Sequence, residues 1–274
     1  MKLAPSVHRI GNDIVAAYLI VTPDGITLID AGLPGMYADL TRELEGLGRS
    51  LDDIRGIVLT HGDSDHVGFA ERLRAERGIP VFVHAADADR ARGGDKPKTP
   101  MGPTRIGPLL QFAAYGMRKG MRPRWLTEVR EVAEGDILDL PGSPRVIGMP
   151  GHSPGSVALF SPEARAVFVG DALTTRHVLT GRTGPGPAPF TDDPAEALVS
   201  LSHIAELDAE WVLPGHGPAF HGSPAAAVEA VLAVGAGLGH PRPYPVQSRF
   251  SRVVLRVRML RTHTSARLKI LGRR

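Results

Sequence analysis

Residues 60–68 read Thr60-His61-Gly62-Asp63-Ser64-Asp65-His66-Val67-Gly68. Four of these side chains, His61, Asp63, Asp65 and His66, are of metal-ligating types. The apolar run Ile57-Val58-Leu59 precedes them and reads as a buried strand; a helical pattern from Phe69 to Arg77 follows. The donors therefore fall on a loop at a strand end, where a sheet can hold them. Imidazole nitrogens mixed with carboxylate oxygens suit a hard or borderline divalent cation such as zinc, manganese or iron.

Three further positions repeat the arrangement. His152, in Pro150-Gly151-His152-Ser153-Pro154-Gly155, follows a strand signal at 145–149. Asp171, in Gly170-Asp171, follows one at 166–169, and His216, in Pro214-Gly215-His216-Gly217, follows one at 211–213. Each is flanked by glycine, which permits close backbone approach and unusual dihedrals. One histidine after a strand is ordinary; four donor-bearing strand ends in one chain point to a shared metal site.

The rest of the chain supplies the frame. Ile14–Val21 and Ile26–Ile29 read as strands joined by the turn Thr22-Pro23-Asp24-Gly25, and Tyr37–Leu47 as a helix stopped by Gly48. Val81–Val83, Ile137–Leu140, Arg145–Met149, Val157–Phe160, Ala166–Val169 and Trp211–Leu213 give further strand signals. Pro194–Leu207, capped by Asp192 or Asp193, and Ala225–Val234 read as helices. Both halves run from strands to helices, which suits two facing sheets flanked by helices in one domain, residues 1–244. Residues 93–127 break this rhythm. They are rich in Gly, Pro, Arg and Met around a helix near Leu109–Met117, and read either as a lid-like insertion over the site or as a surface excursion. Arg118, Lys119, Arg122 and Arg124 make this segment basic, as a recognition element for an anionic substrate or a solvated face.

Composition narrows the options. The 274 residues are 42% hydrophobic, enough for an ordinary core. Cysteine is absent, which excludes disulfides and thiolate ligands and leaves nitrogen and oxygen to hold any metal. That absence, with no signal-like apolar segment and no run of about 18 apolar residues, gives the expectation of a cytoplasmic protein. Charge is uneven: residues 245–274 carry nine Lys and Arg and no acid, which leaves 23 basic against 29 acidic residues in 1–244, a net of −6. Phe250–Arg261 mixes arginine with apolar residues. It reads as a helix packed on the domain or a frayed end, in preference to a membrane-surface or nucleic-acid contact, with Arg256–Met259 alternating if read as a strand, and no aromatic platform accompanies it.

The ordered set His61-x-Asp63-x-Asp65-His66, His152, Asp171, His216 resembles the metallo-β-lactamase superfamily, whose run is His-x-His-x-Asp-His followed by a distant His, Asp and His. The resemblance covers roughly residues 8–234. It includes Ile26–Gly32, whose Asp30 lies near the metal loop in such proteins. It implies an α/β fold, a four-layer αββα sandwich of two mixed sheets flanked by helices. It also implies two divalent metal ions, zinc first, with iron or manganese as alternatives. His61, Asp63 and His152 would bind the first, Asp65, His66 and His216 the second, and Asp171 both. The implied activity is that of a metallo-hydrolase whose metal-bridging hydroxide attacks a small ester, lactone or thioester, with Asp65 as the catalytic residue that orients the nucleophile and moves the proton.

The family also holds di-iron oxidoreductases, ribonuclease Z-like phosphodiesterases and β-lactam hydrolases. The acidic body weighs against a nuclease, the missing secretory segment against a β-lactamase, and the missing flavin domain against redox chemistry. One departure stands out: Asp63 replaces the family's second histidine, which adds negative charge and favours harder cations. His177 and His221, six and five residues beyond Asp171 and His216, are pocket candidates together with Asp30. A small-molecule substrate is the expected partner, and oligomeric state has no signature in the sequence.

Overall fold

The computed structural model describes residues 1–97, 99 and 102–237. Seven strands follow one another in sequence and in space: β1 (Lys2–Ala4), β2 (Val7–Gly11), β3 (Ala16–Thr22), β4 (Gly25–Ile29), β5 (Ile54–Val58), β6 (Val81–His84) and β7 (Arg130–Val132). β1 to β4 pair antiparallel and β4 to β7 parallel, so this sheet is mixed. A second mixed sheet is built from β8 (Arg145–Gly148), β9 (Val157–Ser161), β10 (Ala166–Gly170), β13 (Trp211–Pro214) and β14 (Phe220–His221), in the order β14-β13-β10-β9-β8. Its one parallel pair is β10 with β13. β11 (Thr174–Arg176) and β12 (Thr183–Gly186) pair apart from both. The helices are α1 (Tyr37–Gly46), α2 (Ser64–Val67), α3 (Ala70–Arg77), α4 (Ala88–Ala91), α5 (Ile106–Lys119), α6 (Pro194–Ser200) and α7 (Pro224–Gly237).

Side-chain alternation creates the layers. Successive residues of a strand face opposite sides. In β3, Ala17 and Leu19 enter a core cluster with Leu40 and Leu44 of α1 and Leu73 of α3. Their neighbours Ala16, Tyr18 and Ile20 enter a second cluster with Val157, Leu159, Ala166, Phe168 and Leu213 of the other sheet. The other sheet repeats this: Ala158, Val167, Val169 and Val212 turn the opposite way, onto Leu198 of α6 and Val228 and Val231 of α7. Strands buried on both faces are apolar throughout, which is why they read as unbroken runs. The expected four-layer αββα architecture of two mixed sheets is what the chain forms.

Several expectations need correction. Ile137–Leu140 is not a strand; Ile137 is exposed and makes one isolated bridge to Arg145. The helix expected over 194–207 ends at Ser200 and tightens into a 3-10 turn, Leu201–His203. Asp193 is its cap and accepts from the backbone N–H of Ala195 and Glu196 at 3.0 and 2.9 Å. The helix in the 93–127 segment is longer than expected, spanning Ile106–Lys119. The basic extension 245–274 lies outside the described residues.

Candidate metal centre

Parallel pairing brings the donor loops to one edge. In the first sheet Ile29 is opposite Val58, so the chain leaves β4 at Asp30 beside the point where it leaves β5 for Thr60 and His61. In the second, Gly170 is opposite Pro214, which sets Asp171 beside Gly215 and His216. Two backbone bonds join the sheets here: Ala16 N–H to Gly215 O at 2.9 Å and Val157 N–H to Thr60 O at 2.8 Å. Gly215 allows the approach. A Cβ on it would stand 2.5 Å from His66 Cε1 and 2.6 Å from Asp171 Oδ1, closer than side-chain packing permits.

Two groups of three donors result, His61 with His152 and Asp171, and Asp65 with His66 and His216; within each, the donor atoms lie within 4.8 Å of one another. Asp171 stands between them, its Oδ1 3.6 Å from His66 Nε2 and its Oδ2 3.1 Å from His216 Nε2 and 3.8 Å from His152 Nε2. Asp65 Oδ2 is 3.4 Å from His216 Nε2. Asp63 lies outside both groups of three. Its Oδ2 is 3.7 Å from His152 Nε2 and 3.9 Å from His61 Nε2, but the same carboxylate is held by Arg90 Nε at 2.6 Å and Lys96 Nζ at 3.1 Å. The Nε2 atoms of His61, His66 and His152 and Asp171 Oδ1 are buried without a hydrogen-bond partner. Such atoms are costly to leave unsatisfied unless a ligand meets them.

Proton bookkeeping fixes how the neutral imidazoles present themselves. His66 Nδ1 lies 2.8 Å from Asp30 Oδ2, and His216 Nδ1 contacts the Ile14 carbonyl. Both partners only accept, so both Nδ1 atoms carry hydrogen. Thr60 Oγ1 gives its proton to Asp30 Oδ2 at 2.8 Å and so accepts from His61 Nδ1 at 3.1 Å. Thr191 Oγ1 gives its proton to Ala188 O at 3.0 Å and accepts from His152 Nδ1 at 3.2 Å. When neutral, as a metal requires, all four rings turn an Nε2 lone pair toward the donor cluster. Metal-binding histidines are prepared in this way, with the outer N–H anchored to the protein. The nitrogen and oxygen donor set fits divalent zinc and the harder iron and manganese.

The electrostatics agree with a cation site. Burial, then the neighbouring His66 and His152, hold His61 well below its ordinary value. At His66 burial opposes the charged ring, but Asp30, Asp171 and Asp65 overrule it and push the pKa up to about 10. At His216, Asp171 and Asp65 likewise overcome burial and raise it to about 9. Burial would raise the Asp63 and Asp171 carboxyls. Interactions with the imidazoles, and for Asp63 also with Arg90, outweigh it and hold both well below the usual carboxylate range. The corner formed by Asp65, His66, Asp171 and His216 therefore demands positive charge, which a proton or a metal cation meets.

Two supporting residues escaped the sequence reading. Asp87, fully buried, accepts from Gly62 N–H and Ser153 Oγ at Oδ2 and from Gly155 N–H at Oδ1, each at 2.7 Å. It clamps the 60–68 loop to the His152 loop. Arg90, also buried, spans Asp63 and Asp192, with Nη1 2.6 Å from Asp192 Oδ2. Both lie in Ala85–Ala91, just after β6, and the signal was a charged cluster at another strand end. Asp30 sits behind His66, at φ 58, with Oδ1 held by Thr60 N–H at 2.8 Å.

A cavity of about 450 Å³ opens onto the donors, and Asp63, Asp65, His152, Asp171 and His216 form part of its wall. Val15, Leu33, Val178 and Phe190 add apolar surface, and the 93–127 segment contributes Lys96, Phe112, Tyr115 and Met121. Neither His177 nor His221 lines it. His177 accepts from Thr180 N–H at 3.3 Å within its own turn, and His221 stacks on Trp211 at 4.4 Å.

Comparison with known proteins gives the family. The family model described as the metallo-beta-lactamase superfamily matches residues 10–216. The probable metallo-hydrolase YflN of Bacillus subtilis is 28% identical over 231 residues, covering 79% of this chain and 85% of its own. The hydroxyacylglutathione hydrolase GloC of Haemophilus influenzae is 26% identical over 194 residues, covering 69% and 79%. Among solved structures, TTHA1623 in a di-iron-bound form superposes with a TM-score of 0.55 at 29% identity, covering 84% of this chain and 97% of that one. With the fold and the ordered donors in place, the chain belongs to the metallo-β-lactamase superfamily, as a metallo-hydrolase.

Proposed function

We propose that the protein hydrolyses a small ester, lactone or thioester with two divalent metal ions, zinc in the first instance. His61 and His152 would hold one ion, with Asp63 reaching it through Oδ2; Asp65, His66 and His216 would hold the other, and Asp171 would serve both. The observation that carries this reading is the set of four anchored imidazoles with Nε2 directed at carboxylates in a buried cluster. Two bound cations supply Lewis acidity and make a water acidic enough to lose its proton near neutral pH.

The remaining work falls to the chain itself. Asp65 is the least buried of the seven proposed ligands and lines the cavity, a position suited to orienting the attacking water and passing its proton to the leaving group. The cavity volume fits a small molecule. Its apolar side, Val15, Leu33, Phe112 and Phe190, suits an acyl chain or a lactone ring, and Lys96 at its wall suits an anionic group on the substrate. A relative named as a hydroxyacylglutathione hydrolase supports an acyl substrate. Iron is the alternative metal: the Asp63 carboxylate favours a harder cation, and one relative was solved with two irons.

The test combines metal analysis with a substrate panel. Protein purified without added metal is assayed for metal content and against carboxyl esters, lactones, thioesters, phosphodiesters and β-lactams. Turnover of one of the first three classes, lost together with metal in His61→Ala and Asp171→Ala, is the expected result. Activity that survives in metal-free protein defeats the reading.

A further inference from the structure

We propose that α5 and the loop that follows it form a docking surface for an anionic lipid membrane. Helix α5 is apolar on two opposite sides. Phe112, Tyr115 and Gly116 turn inward and line the metal-site cavity. On the other side Ile106, Leu110 and Met117, spaced by four and seven residues and so on one stripe, are 78%, 62% and 75% exposed. Beyond the helix Met121 and Trp125 are 50% and 41% exposed, Met121 also lining the cavity and Trp125 lying over Gly93. Five of the seven large hydrophobic residues exposed among the described residues fall within these twenty positions. A helix apolar on both sides is normally covered on both; among the described residues nothing covers the outer side of α5.

Charge names the occupant. Residues 96–127 contain seven Lys and Arg and no Asp or Glu, inside a domain that is otherwise acidic. Lys96 and Lys119 are engaged by Asp63 and Asp39. Arg105, Arg118, Arg122 and Arg124 are exposed and make no ion pair among the described residues. A second copy of the chain would bring two cationic patches together, which like-charge repulsion opposes. Nucleic acid would meet the arginines but offers no counterpart for exposed isoleucine, leucine and methionine. A bilayer with anionic headgroups satisfies both features: acyl chains take the aliphatic stripe and phosphates take the arginines, and the partly exposed Trp125 is of the residue type enriched at membrane interfaces. Because α5 is also a wall of the cavity, docking would set the cavity beside the lipid surface.

The chain has two tryptophans, so the full-length Trp211→Phe variant makes Trp125 the sole reporter. Mixing it with phosphatidylglycerol vesicles should shift Trp125 emission to shorter wavelength and carry the protein into the vesicle pellet; phosphatidylcholine vesicles should do neither. Adding Leu110→Glu and Met117→Glu, both at exposed positions, should weaken partitioning at least about tenfold and abolish the shift. Raising the salt concentration should weaken binding as well. Three results would overturn the proposal. One is an unshifted Trp125 with phosphatidylglycerol. Another is pelleting unaffected by the two glutamates, which would assign binding to the basic extension. The third is lipid-free self-association that the glutamates abolish, which would assign the face to a second copy.

Discussion

Arg90 donates from Nε to Oδ1 of Asp63 across 2.6 Å, in a buried contact at the edge of the metal centre. Asp63 takes the place of the second histidine in the motif that the chain's own run resembles, and paired with Arg90 it is as neutral as an imidazole. Removing Arg90 leaves Asp192 without its counter-ion and Asp63 with Lys96 alone. Breaking such a buried pair costs about 3–5 kcal/mol. Arg90→Met should therefore lower the thermal midpoint of metal-free protein, by roughly 2–4 °C per kcal/mol for a domain of this size. Metal should recover part of the loss, because a cation near Oδ2 replaces the guanidinium as partner. Thermal unfolding with chelator and with zinc checks this; equal losses in both would separate Asp63 from the metal.

Restoring the family pattern at this position should fail on its own. Asp63→His would set an imidazole against the buried Arg90, whose Nη2 already lacks a partner. The single variant should bind metal more weakly than the parent, and the double variant Asp63→His with Arg90→Met should recover. Chelator competition measures both, and a single variant that binds as well as the parent would contradict this.

Asp30, 2.8 Å from His66 Nδ1, should act on metal binding through that ring. Asn at position 30 tolerates the left-handed backbone at φ 58, so Asp30→Asn tests chemistry with little strain. It removes the acceptor-only carboxylate that holds His66 in its Nδ1–H form. Affinity at the Asp65–His66–His216 group should fall about 10–100-fold, as is usual when such partners are lost. Competition with a zinc chelator reads this directly.

The pH dependence has a definite sign. His66 and His216, raised to about 10 and about 9, carry protons in metal-free protein at neutral pH. A metal must displace them, so affinity should rise with pH and level off above the raised values. Calorimetry in buffers of different ionisation enthalpy should detect proton release at pH 7.5. The same shifts stabilise the metal-free fold. That contribution is complete below the ordinary imidazole value near 6.5 and is lost as pH climbs through 9 to 10.

The donor loops were legible in the sequence because each couples a strand end to glycine and a ligand type within a few residues; the structure groups His61 with His152 and Asp171, and Asp65 with His66 and His216, and leaves Asp63 outside both groups. Layer assignment within the two-face-buried strands was not legible, since Ala16 and Ala17 look alike until their partners are known. Ile137–Leu140 misled because an apolar residue opens it, although Ile137 faces solvent. Asp87 and Arg90 were missed because their partners lie far along the chain: Gly62 is 25 residues away, Gly155 is 68 and Asp192 is 102. β1 and β2 are short and mix polar with apolar residues, so nothing local marks them as strands.

Gly215 offers a test confined to geometry. Gly215→Ala would push on His66 and Asp171 together while changing no donor. The expected result is a folded protein by circular dichroism with reduced metal content.

Anomalous scattering from crystals grown with zinc, recorded above and below the zinc edge, would locate the ions themselves. Two peaks are expected, one among His61, His152 and Asp171 and one among Asp65, His66 and His216. Peaks elsewhere, or none at these imidazoles, would contradict the two-metal reading.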